Sequence, residues 1–528
     1  MAAAAPEEGD ESQCEPQPPD GGWGWVVAAG VFLIALVVPM LLPSFGILFS
    51  QQLLEWRTSS TTIAVIFNTF LVVWRLAGVV MGTLAKEFGF RKVAVTGTLL
   101  TATSLTLSAF AASPTHLLIT FSLGCGLGNG LSCVGYLILA HYFKERRGRA
   151  TACLVAGAGL GHFISPLVIR LLQEEYGMRG ATMVLGGITL HAVVGACVFQ
   201  PVEWHWKKPK KDIAVEDAVA FSSLLPSHAK TREPKTAEVK VANDSTENTD
   251  DPLCVAPSHR RVSQSYSTAA REDNPLPVHT VVIVAKTEAP TATSTVWRDR
   301  SGACGVCRTL GRVARSVMRD MRVLRKPTCL IIGLASSLII NAEANFLVMV
   351  PFALQAAGHP LQTAAWCLSI AGMSNLFTRL CVSALSDLPW FNMQLCYMAG
   401  MAVMAASVLA FTFQMGAVWY AAVMGVWGCA AGMFYGLNNL LMTRVVGLRY
   451  LISVYGARNL LGALGFFIVG PVVGVIRDAS GCYSVSMWVL ASLMSFSFFL
   501  WLLMPAAQAY ENRQEPQERS STHRQATY

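Results

Sequence analysis

Long apolar stretches set the strongest limit on how this chain can fold. A transmembrane helix needs about 20 consecutive, mostly apolar residues to cross the hydrocarbon core of a bilayer. Only 14% of the 528 residues are charged, whereas a soluble domain carries about 25%. The sequence therefore predicts an all-α integral membrane protein with twelve transmembrane helices. The predicted spans are residues 25–49, 60–84, 93–112, 116–140, 150–172, 180–200, 328–354, 361–385, 392–413, 417–442, 450–476 and 483–505.

One connection between the predicted spans is far longer than the others. It covers residues 201–326, is rich in Lys, Ser, Thr, Pro and Glu, and contains few aromatic residues. Such a composition cannot bury enough apolar surface to fold, so we expect a disordered loop. We expect the same of the tails, residues 1–22 and 506–528. The loop separates six predicted spans in residues 23–200 from six in residues 327–505.

Basic residues are distributed unevenly among the short connections. Cytoplasmic loops carry an excess of Lys and Arg, and this bias sets the orientation of a membrane protein. We therefore predict that both termini and the long loop are cytoplasmic. With that orientation the inner connections carry Lys86, Arg91, Lys92, Lys144, Arg146, Arg147, Arg149, Arg444 and Arg449. The outer connections carry only Arg57, Arg179 and Arg477, each with an acidic residue nearby.

Two groups of motifs point to a family. Gly82–Lys92 (GTLAKEFGFRK) joins the second and third predicted spans and resembles the loop of the major facilitators. Pro19–Val27 (PDGGWGWVV) opens the first span and is more specific. It closely resembles the signature of the monocarboxylate transporter family, as do Tyr142–Gly161 and Gly470–Tyr483. The signature residues to which we assign a structural role are Asp20, Gly22, Trp23, Gly24 and Trp25.

This resemblance covers all twelve predicted spans and leaves the long loop and the tails unmatched. It implies the major facilitator fold, in which two six-helix halves surround a central cavity and rock about it. It also implies the passive or proton-linked movement of small organic anions such as lactate or pyruvate. Some members of the family need a single-span immunoglobulin-like ancillary subunit. The resemblance therefore makes such a subunit a candidate partner.

The chain departs from the proton-coupled members of the family at two positions. Those members carry a lysine after the proline of the first span, where this chain has Ser44 after Pro43. They also carry an aspartate four residues before the arginine of the eighth span, where this chain has Asn375 before Arg379. An amide side chain does not take up and release a proton near neutral pH, so it cannot relay one. We therefore expect facilitative transport; members lacking both residues include carriers of aromatic amino acids, thyroid hormones and creatine.

Charged residues inside the predicted spans mark the candidate site. Arg379 lies near the middle of residues 361–385, where an arginine costs about 2.5–3.5 kcal/mol unless it faces water or a partner. Arg75, Arg458 and Glu343 also lie inside predicted spans. Three arginines against one carboxylate favour an anion or a zwitterion as ligand. Two alternatives stay open: Arg458 extends to the cytoplasmic surface, and Glu343 pairs with an arginine or binds a proton or a substrate amino group.

These observations define a candidate binding site. We expect Arg379 to hold a carboxylate and Asn375 to orient it. The predicted substrate-binding residues are Arg379, Asn375, Arg75, Glu343, Asn341 and Ser44. Aromatic candidates for the cavity wall are Phe346, Trp366, Phe377 and Tyr435. Small residues that favour close helix packing in the tenth span are Gly425, Gly428, Gly432 and Gly436.

The predicted function is a secondary transporter of a small carboxylate-bearing solute, at the plasma membrane. No catalytic triad, metal cluster or nucleotide loop is recognisable, so we predict no enzyme activity, cofactor or metal. The net charge of +8 lies in loops and does not indicate nucleic-acid binding. Expected partners are a small organic anion or zwitterion and membrane lipids. Two alternatives remain: a proton-coupled symporter using Glu343 or His162, and a non-transporting scaffold that signals through the long loop.

Overall fold

The computed structural model describes residues 20–143, 146–205, 321–386, 388–413, 415–446 and 448–511, together with residues 311 and 513. Regular structure in this part of the chain is helical, without a β-strand. The main helices are α1 (Trp23–Val37), α2 (Leu41–Glu55), α3 (Ser60–Phe88), α4 (Phe90–Ser108), α5 (Pro114–Leu117), α6 (Gly126–Ser132), α7 (Val134–Tyr142), α8 (Arg147–Cys197), α9 (Pro327–Ala356), α10 (Leu361–Leu385), α11 (Met393–Phe411), α12 (Ala417–Val446), α13 (Leu448–Ser480) and α14 (Tyr483–Leu502).

Shorter helical segments complete this series. A 3₁₀ turn over Val38–Met40 joins α1 to α2, and a π-helix over Leu118–Cys125 joins α5 to α6. Further 3₁₀ turns cover Val202–His205 and Arg322–Arg325. Most of the loop and tails predicted to be disordered lies outside the described residues. The described start of the C-terminal tail is helical as far as Glu511.

Apolar helices make this a multi-pass membrane protein. Ten helices in the described part of the chain are long and apolar enough to cross a bilayer, rather than the predicted twelve. Predicted spans 150–172 and 180–200 both fall in α8, where Gly177 alone leaves helical geometry, with φ 65° and ψ −177°. Predicted span 93–112 corresponds to α4, which is rich in threonine and begins beside two basic residues. These two regions account for the difference in number.

Side-chain caps and a glycine set several helix boundaries. The Ser59 hydroxyl accepts a hydrogen bond from the backbone N–H of Thr62 (3.2 Å) at the start of α3. The Asn392 side chain does the same for Leu395 (3.1 Å) at the start of α11. Such caps satisfy N–H groups that a helix leaves unpaired at its first turn. Gly89 has φ 89° and separates α3 from α4, a conformation that side chains disfavour.

Close helix packing brings α10 against α12, as the glycines of the tenth predicted span indicated. A Cβ atom on Gly428 would lie 2.3 Å from the carbonyl oxygen of Ala371, and one on Gly432 would lie 2.7 Å from that of Asn375. Only glycine permits this approach. Helix α10 also packs against α8, α3 packs against α13, and α2 packs against α9. These contacts join helices from before and after the long connection.

The signature at the start of α1 packs against the end of α7. The backbone N–H of Asp20 donates to the carbonyl of Tyr142 (3.2 Å), and the Asp20 carboxylate accepts from the N–H of Arg146 (3.4 Å). Gly22 has φ 56° and precedes the first helical residue. The motifs Pro19–Val27 and Tyr142–Gly161 therefore meet in space, although more than 100 residues separate them.

The two tryptophans of the signature have different neighbours. The Trp23 indole N–H donates to the carbonyl of Val198 (3.2 Å) near the end of α8. The Trp25 ring lies 5.1 Å from that of Phe143. Gly24 sits so close to Phe143 that an added Cβ would lie 3.0 Å from the ring. These contacts support the structural role that we assigned to the signature.

Candidate functional site

A cavity of about 180 Å³ lies among helices α2, α3, α8, α9, α10, α12 and α13 and the turn before α2. Four of the six predicted substrate-binding residues line it, namely Arg379, Asn375, Arg75 and Glu343. Its remaining wall is mostly apolar and aromatic. Side chains there include Pro39, Pro43, Leu71, Trp74, His162, Trp427, Tyr435 and Phe466. The tertiary fold thus collects charged groups from α3, α9 and α10 around one enclosed space.

Arg379 enters this cavity without a charged partner. It follows Asn375 by one helical turn on α10, so both side chains project from the same face. The carbon at the centre of its guanidinium lies 4.9 Å from the centre of the Tyr435 ring. The buried N–H group at its Nε atom donates no hydrogen bond to the described residues, and no ion pair to Arg379 occurs among them. A guanidinium held by a ring keeps its full charge for an external anion.

Glu343 is the acidic residue of the cavity wall. It is 6% exposed, and its Oε2 atom accepts a short hydrogen bond from the Tyr435 hydroxyl (2.5 Å). Arg379 and Arg75 both lie within electrostatic range of this carboxylate. Neither arginine is in ion-pair contact with Glu343 in the described structure. Tyr435 therefore contacts both the carboxylate of Glu343 and the guanidinium of Arg379.

Arg75 is held by a neutral partner. Its Nη1 atom donates to the side-chain oxygen of Asn459 on α13 (3.0 Å), and its guanidinium lies 5.9 Å from the centre of the Phe466 ring. Arg458, the third predicted arginine, does not line the cavity and instead lies 5.1 Å from the ring centre of Tyr455. The cavity wall therefore carries two guanidinium groups and one carboxyl group.

Two predicted site residues lie outside the cavity wall. The Asn341 amide donates to the carbonyl of Ser337, one turn earlier in α9 (2.7 Å). Asn341 precedes Glu343 by two residues, which places the two side chains about 200° apart around a helix. The Ser44 hydroxyl donates to the carbonyl of Met40, in the turn before α2. Intramembrane position alone could not show which helix face each residue occupies.

Among the predicted aromatic residues, only Tyr435 lines the cavity. Phe346 is fully buried, with its ring 5.5 Å from that of Phe411. Trp366 and Phe377 are 52% and 69% exposed on the outside of the helix bundle. Three of these four candidates therefore do not line the cavity. Aromatic side chains in spans serve packing and lipid contact as readily as ligand contact.

Other cavity-lining residues were not predicted as site residues. Trp74 precedes Arg75 on α3, Trp427 lies on α12, and Phe466 lies on α13. The sequence carries no local signal for these three residues, because each is an aromatic side chain in a span and only contacts with other helices fix which way it faces. His162, predicted only as an alternative proton carrier, also lines the cavity.

Hydrogen bonds join α3 to α9 and α13 on one side of the cavity. Asp478, near the end of α13, accepts hydrogen bonds from the backbone N–H groups of Ser60 (2.9 Å) and Thr61 (2.8 Å) and from the Thr61 hydroxyl (2.7 Å). Nearer the cavity, the amides of Asn68 and Asn345 exchange two hydrogen bonds, at 2.8 and 3.1 Å. These contacts tie the start of α3 to helices that follow the long connection.

The residues that the structure describes include no group of three or more His, Cys, Asp or Glu side chains placed to hold a metal ion. The chemistry available in the cavity is therefore ionic and hydrogen-bonding recognition against an aromatic wall. Two cations and one acid can bind a carboxylate, or a zwitterion whose carboxylate meets an arginine.

Comparison with known proteins shows which family the chain matches. The model of a family described as Major Facilitator Superfamily matches residues 24–470. Monocarboxylate transporter 12-B of Danio rerio is 24% identical over 92% of this chain and 87% of its own length. Monocarboxylate transporter 9 of Pongo abelii is 23% identical over 96% of this chain and 97% of its own length. Monocarboxylate transporter 13 of Bos taurus is 32% identical, over 35% of this chain and 44% of its own length.

These relatives are transporters and not enzymes. They confirm the relationship to the monocarboxylate transporters that the sequence motifs indicated. The chain therefore belongs to the Major Facilitator Superfamily.

Proposed function

We propose that this protein moves a small carboxylate-bearing organic solute across the plasma membrane by facilitated, uncoupled transport. The observation that carries the proposal is the Arg379 guanidinium, which lines a central cavity and has no ion pair among the described residues. A carboxylate entering the cavity supplies the missing negative charge. The names of the relatives support a monocarboxylate as substrate.

The size and lining of the cavity favour a small solute. Its volume of about 180 Å³ is below the range of about 300–1,000 Å³ that holds drug-sized ligands. The wall combines two arginines, an acid and several aromatic side chains. A compact organic anion or zwitterion with an apolar body fits this combination.

The proposed architecture has twelve spans in two six-helix halves, with both termini in the cytoplasm. Helix α8 supports this count, since its 51 residues would extend about 75 Å, more than twice the thickness of the hydrocarbon core. Gly177 is the point where it divides into two spans. Helix α4 adds the remaining span, because its basic start fits the cytoplasmic surface.

Transport would proceed by alternating access. In the proposed orientation, the start of α3 faces outward. The Asp478 contacts and the Asn68–Asn345 pair would then close the outer side of the cavity. Their rupture would let the two halves rock and expose the cavity to the outside.

A proton-coupled symporter is the second candidate. Glu343 favours it, because this buried carboxyl group lines the cavity beside two arginines and accepts a hydrogen bond from Tyr435. Protonation of Glu343 could accompany loading of the substrate. Asn375 favours facilitation instead. An amide occupies the position four residues before Arg379, and an amide does not take up or release a proton near neutral pH.

Uptake into proteoliposomes tests the proposal. Purified protein would be offered labelled lactate, pyruvate, benzoate, creatine and amino acids, with and without an inward proton gradient. We expect equilibration of at least one carboxylate, with no accumulation driven by the gradient. Accumulation above equilibrium would favour the symporter, and no movement of any solute would favour the scaffold.

The Arg379→Ala variant tests the site. Loss of a charge-assisted contact should reduce the uptake efficiency about 10- to 100-fold. Arg170→Ala is the matched control, because Arg170 lies on α8 away from the cavity wall and pairs with Glu174 (3.0 Å). Wild-type uptake by Arg379→Ala would refute the site assignment.

A further inference from the structure

Tyr435 contacts both kinds of charged group in the cavity. Its hydroxyl donates to the Glu343 carboxylate (2.5 Å), and its ring faces the Arg379 guanidinium at 4.9 Å. The three residues belong to three helices, α9, α12 and α10, that pack against one another. We call this arrangement the Glu343–Tyr435–Arg379 cluster.

A direct ion pair is the obvious alternative for these charges. Opposite charges attract strongly where water is scarce, and Glu343 is buried within electrostatic range of Arg379. A direct pair would neutralise the guanidinium and leave it unable to bind a substrate carboxylate. The remaining charged or titratable groups of the wall, Arg75 and His162, lie on α3 and α8. Arg75 is already held by Asn459.

We propose that Tyr435 is a positioning residue that keeps Glu343 from pairing with Arg379. The hydroxyl satisfies the carboxylate, while the ring supports the guanidinium without cancelling its charge. Arg379 thereby stays available to the carboxylate of the solute. This inference rests on the proposed function, and it names the residue that makes the arginine competent to bind.

The position of the cluster suits a transporter whose halves move. All three residues lie after the long connection, whereas Arg75 and His162 lie before it. Rocking of one half against the other would carry the cluster as one body. Arg379 would then remain unpaired on both sides of the transport cycle.

Removal of one hydroxyl group gives the first test. Tyr435→Phe keeps the ring beside Arg379 but deprives Glu343 of its hydrogen bond. The carboxylate should then turn to Arg379 and compete with the solute. We expect the KM for labelled benzoate, lactate or pyruvate to rise about 10- to 100-fold, with the maximal rate retained. These probes carry a carboxylate and no amino group, so Glu343 itself cannot bind them as an acceptor of an ammonium.

Rescue distinguishes this mechanism from a loss of packing. The double variant Tyr435→Phe/Glu343→Gln removes the competing carboxylate, so its KM should return to within about threefold of that of Glu343→Gln alone. Tyr435→Leu is the matched comparison, because it also removes the ring and should not be rescued fully. Rates are normalised to the amount of reconstituted protein.

Several outcomes would overturn the inference. An unchanged KM in Tyr435→Phe, or a double variant no better than Tyr435→Phe, would show that Tyr435 does not restrain Glu343. If Tyr435→Phe fails to fold, the Glu343→Gln variant tests the inference by itself. This variant removes the carboxylate that would compete with the solute for Arg379, so a KM above the wild-type value for these probes would contradict the inference. Wild-type protein that moves none of the three probes would refute carboxylate binding at Arg379 and the inference with it. Wild-type protein that moves them while Arg379→Ala moves them equally well would refute the site assignment and this inference, but it would leave the proposed transport standing.

Discussion

At the scale of single residues, the cavity depends on charges that have neutral neighbours. Arg379 meets an aromatic ring, and Arg75 meets the amide of Asn459. Neutral partners hold a guanidinium in place without cancelling its charge. Asn375 belongs to the same pattern, since it stands one turn from Arg379 and lines the same cavity. An acid at that position would change the behaviour of the site.

The variant Asn375→Asp should make solute uptake dependent on pH. An ionised aspartate one turn from Arg379 would pair with it and compete with the solute. Protonation removes that competition, so uptake should increase as the pH falls, whereas wild-type uptake should change little. Initial rates of benzoate or lactate uptake, measured from about pH 4 to pH 8 with the same pH inside and outside the vesicles, would show the difference.

Asn375→Ser is the control for this variant, because serine is also polar but acquires no charge in that range. A pH profile of Asn375→Asp that matches the profile of Asn375→Ser would contradict the prediction. Such a result would mean that residue 375 does not act on Arg379.

At the scale of helices, glycines determine where Arg379 lies. A Cβ atom on Gly432 would lie 2.7 Å from the carbonyl oxygen of Asn375 and 2.8 Å from the Thr378 Cβ. A Cβ atom on Gly436 would lie 3.5 Å from the carbonyl oxygen of Arg379. Close packing of α10 against α12 therefore sets the position of Arg379 at the cavity. The sequence showed that this span contains a charge, whereas the position of α10 depends on its contact with α12.

The variant Gly432→Ala should weaken the protein and its uptake together. The added methyl group must push α12 away from α10, and overpacking of this kind costs about 1–3 kcal/mol. We expect a lower melting temperature in detergent and a higher KM, because Arg379 and Tyr435 no longer face each other correctly. Both quantities can be measured on the same purified protein.

Gly462→Ala provides the matched control, because a Cβ atom at Gly462 on α13 would meet nothing within 4 Å. Alanine is also the better helix former there. Equal effects of the two substitutions would indicate a general sensitivity of the helices and not a contact between α10 and α12.

At the scale of the whole molecule, contacts between α3 and α13 should control access to the cavity. Asp478 accepts three hydrogen bonds from Ser60 and Thr61. The third family motif, Gly470–Tyr483, contains this aspartate. A Cβ atom on Gly470 would lie 2.1 Å from the Asn68 side chain, so the same motif also packs against the asparagine pair.

In the Asp478→Ala variant, the start of α3 should separate from the end of α13 more often. Without its acceptor, the start of α3 loses its hydrogen bonds to α13. We expect amide hydrogens at Ser60 and Thr61 to exchange with solvent about three- to tenfold faster. Hydrogen–deuterium exchange of the peptides that cover the start of α3 measures this change.

Ser480→Ala is the matched control for loss of these contacts. Within the described part of the chain, Ser480 forms its hydrogen bonds at the end of α13, with the carbonyls of Arg477 and Cys482 and the N–H of Cys482. Unchanged exchange in Asp478→Ala would contradict the assignment of these contacts as a closure of the cavity.

Local properties of the chain were enough to predict the helical membrane class, the family and an arginine that lines the cavity. Apolar run length, charge distribution and the motif at Pro19–Val27 are local properties, and the energy of placing Arg379 in a bilayer is large enough to demand a cavity. Tertiary structure alone decided which side chains face that cavity. Ser44 and Asn341 point elsewhere, while Trp427 and Tyr435 point inward, because contacts with other helices fix the rotation of each helix about its axis. The contact of Tyr435 with both Glu343 and Arg379 likewise arises from three helices that meet only in the folded molecule.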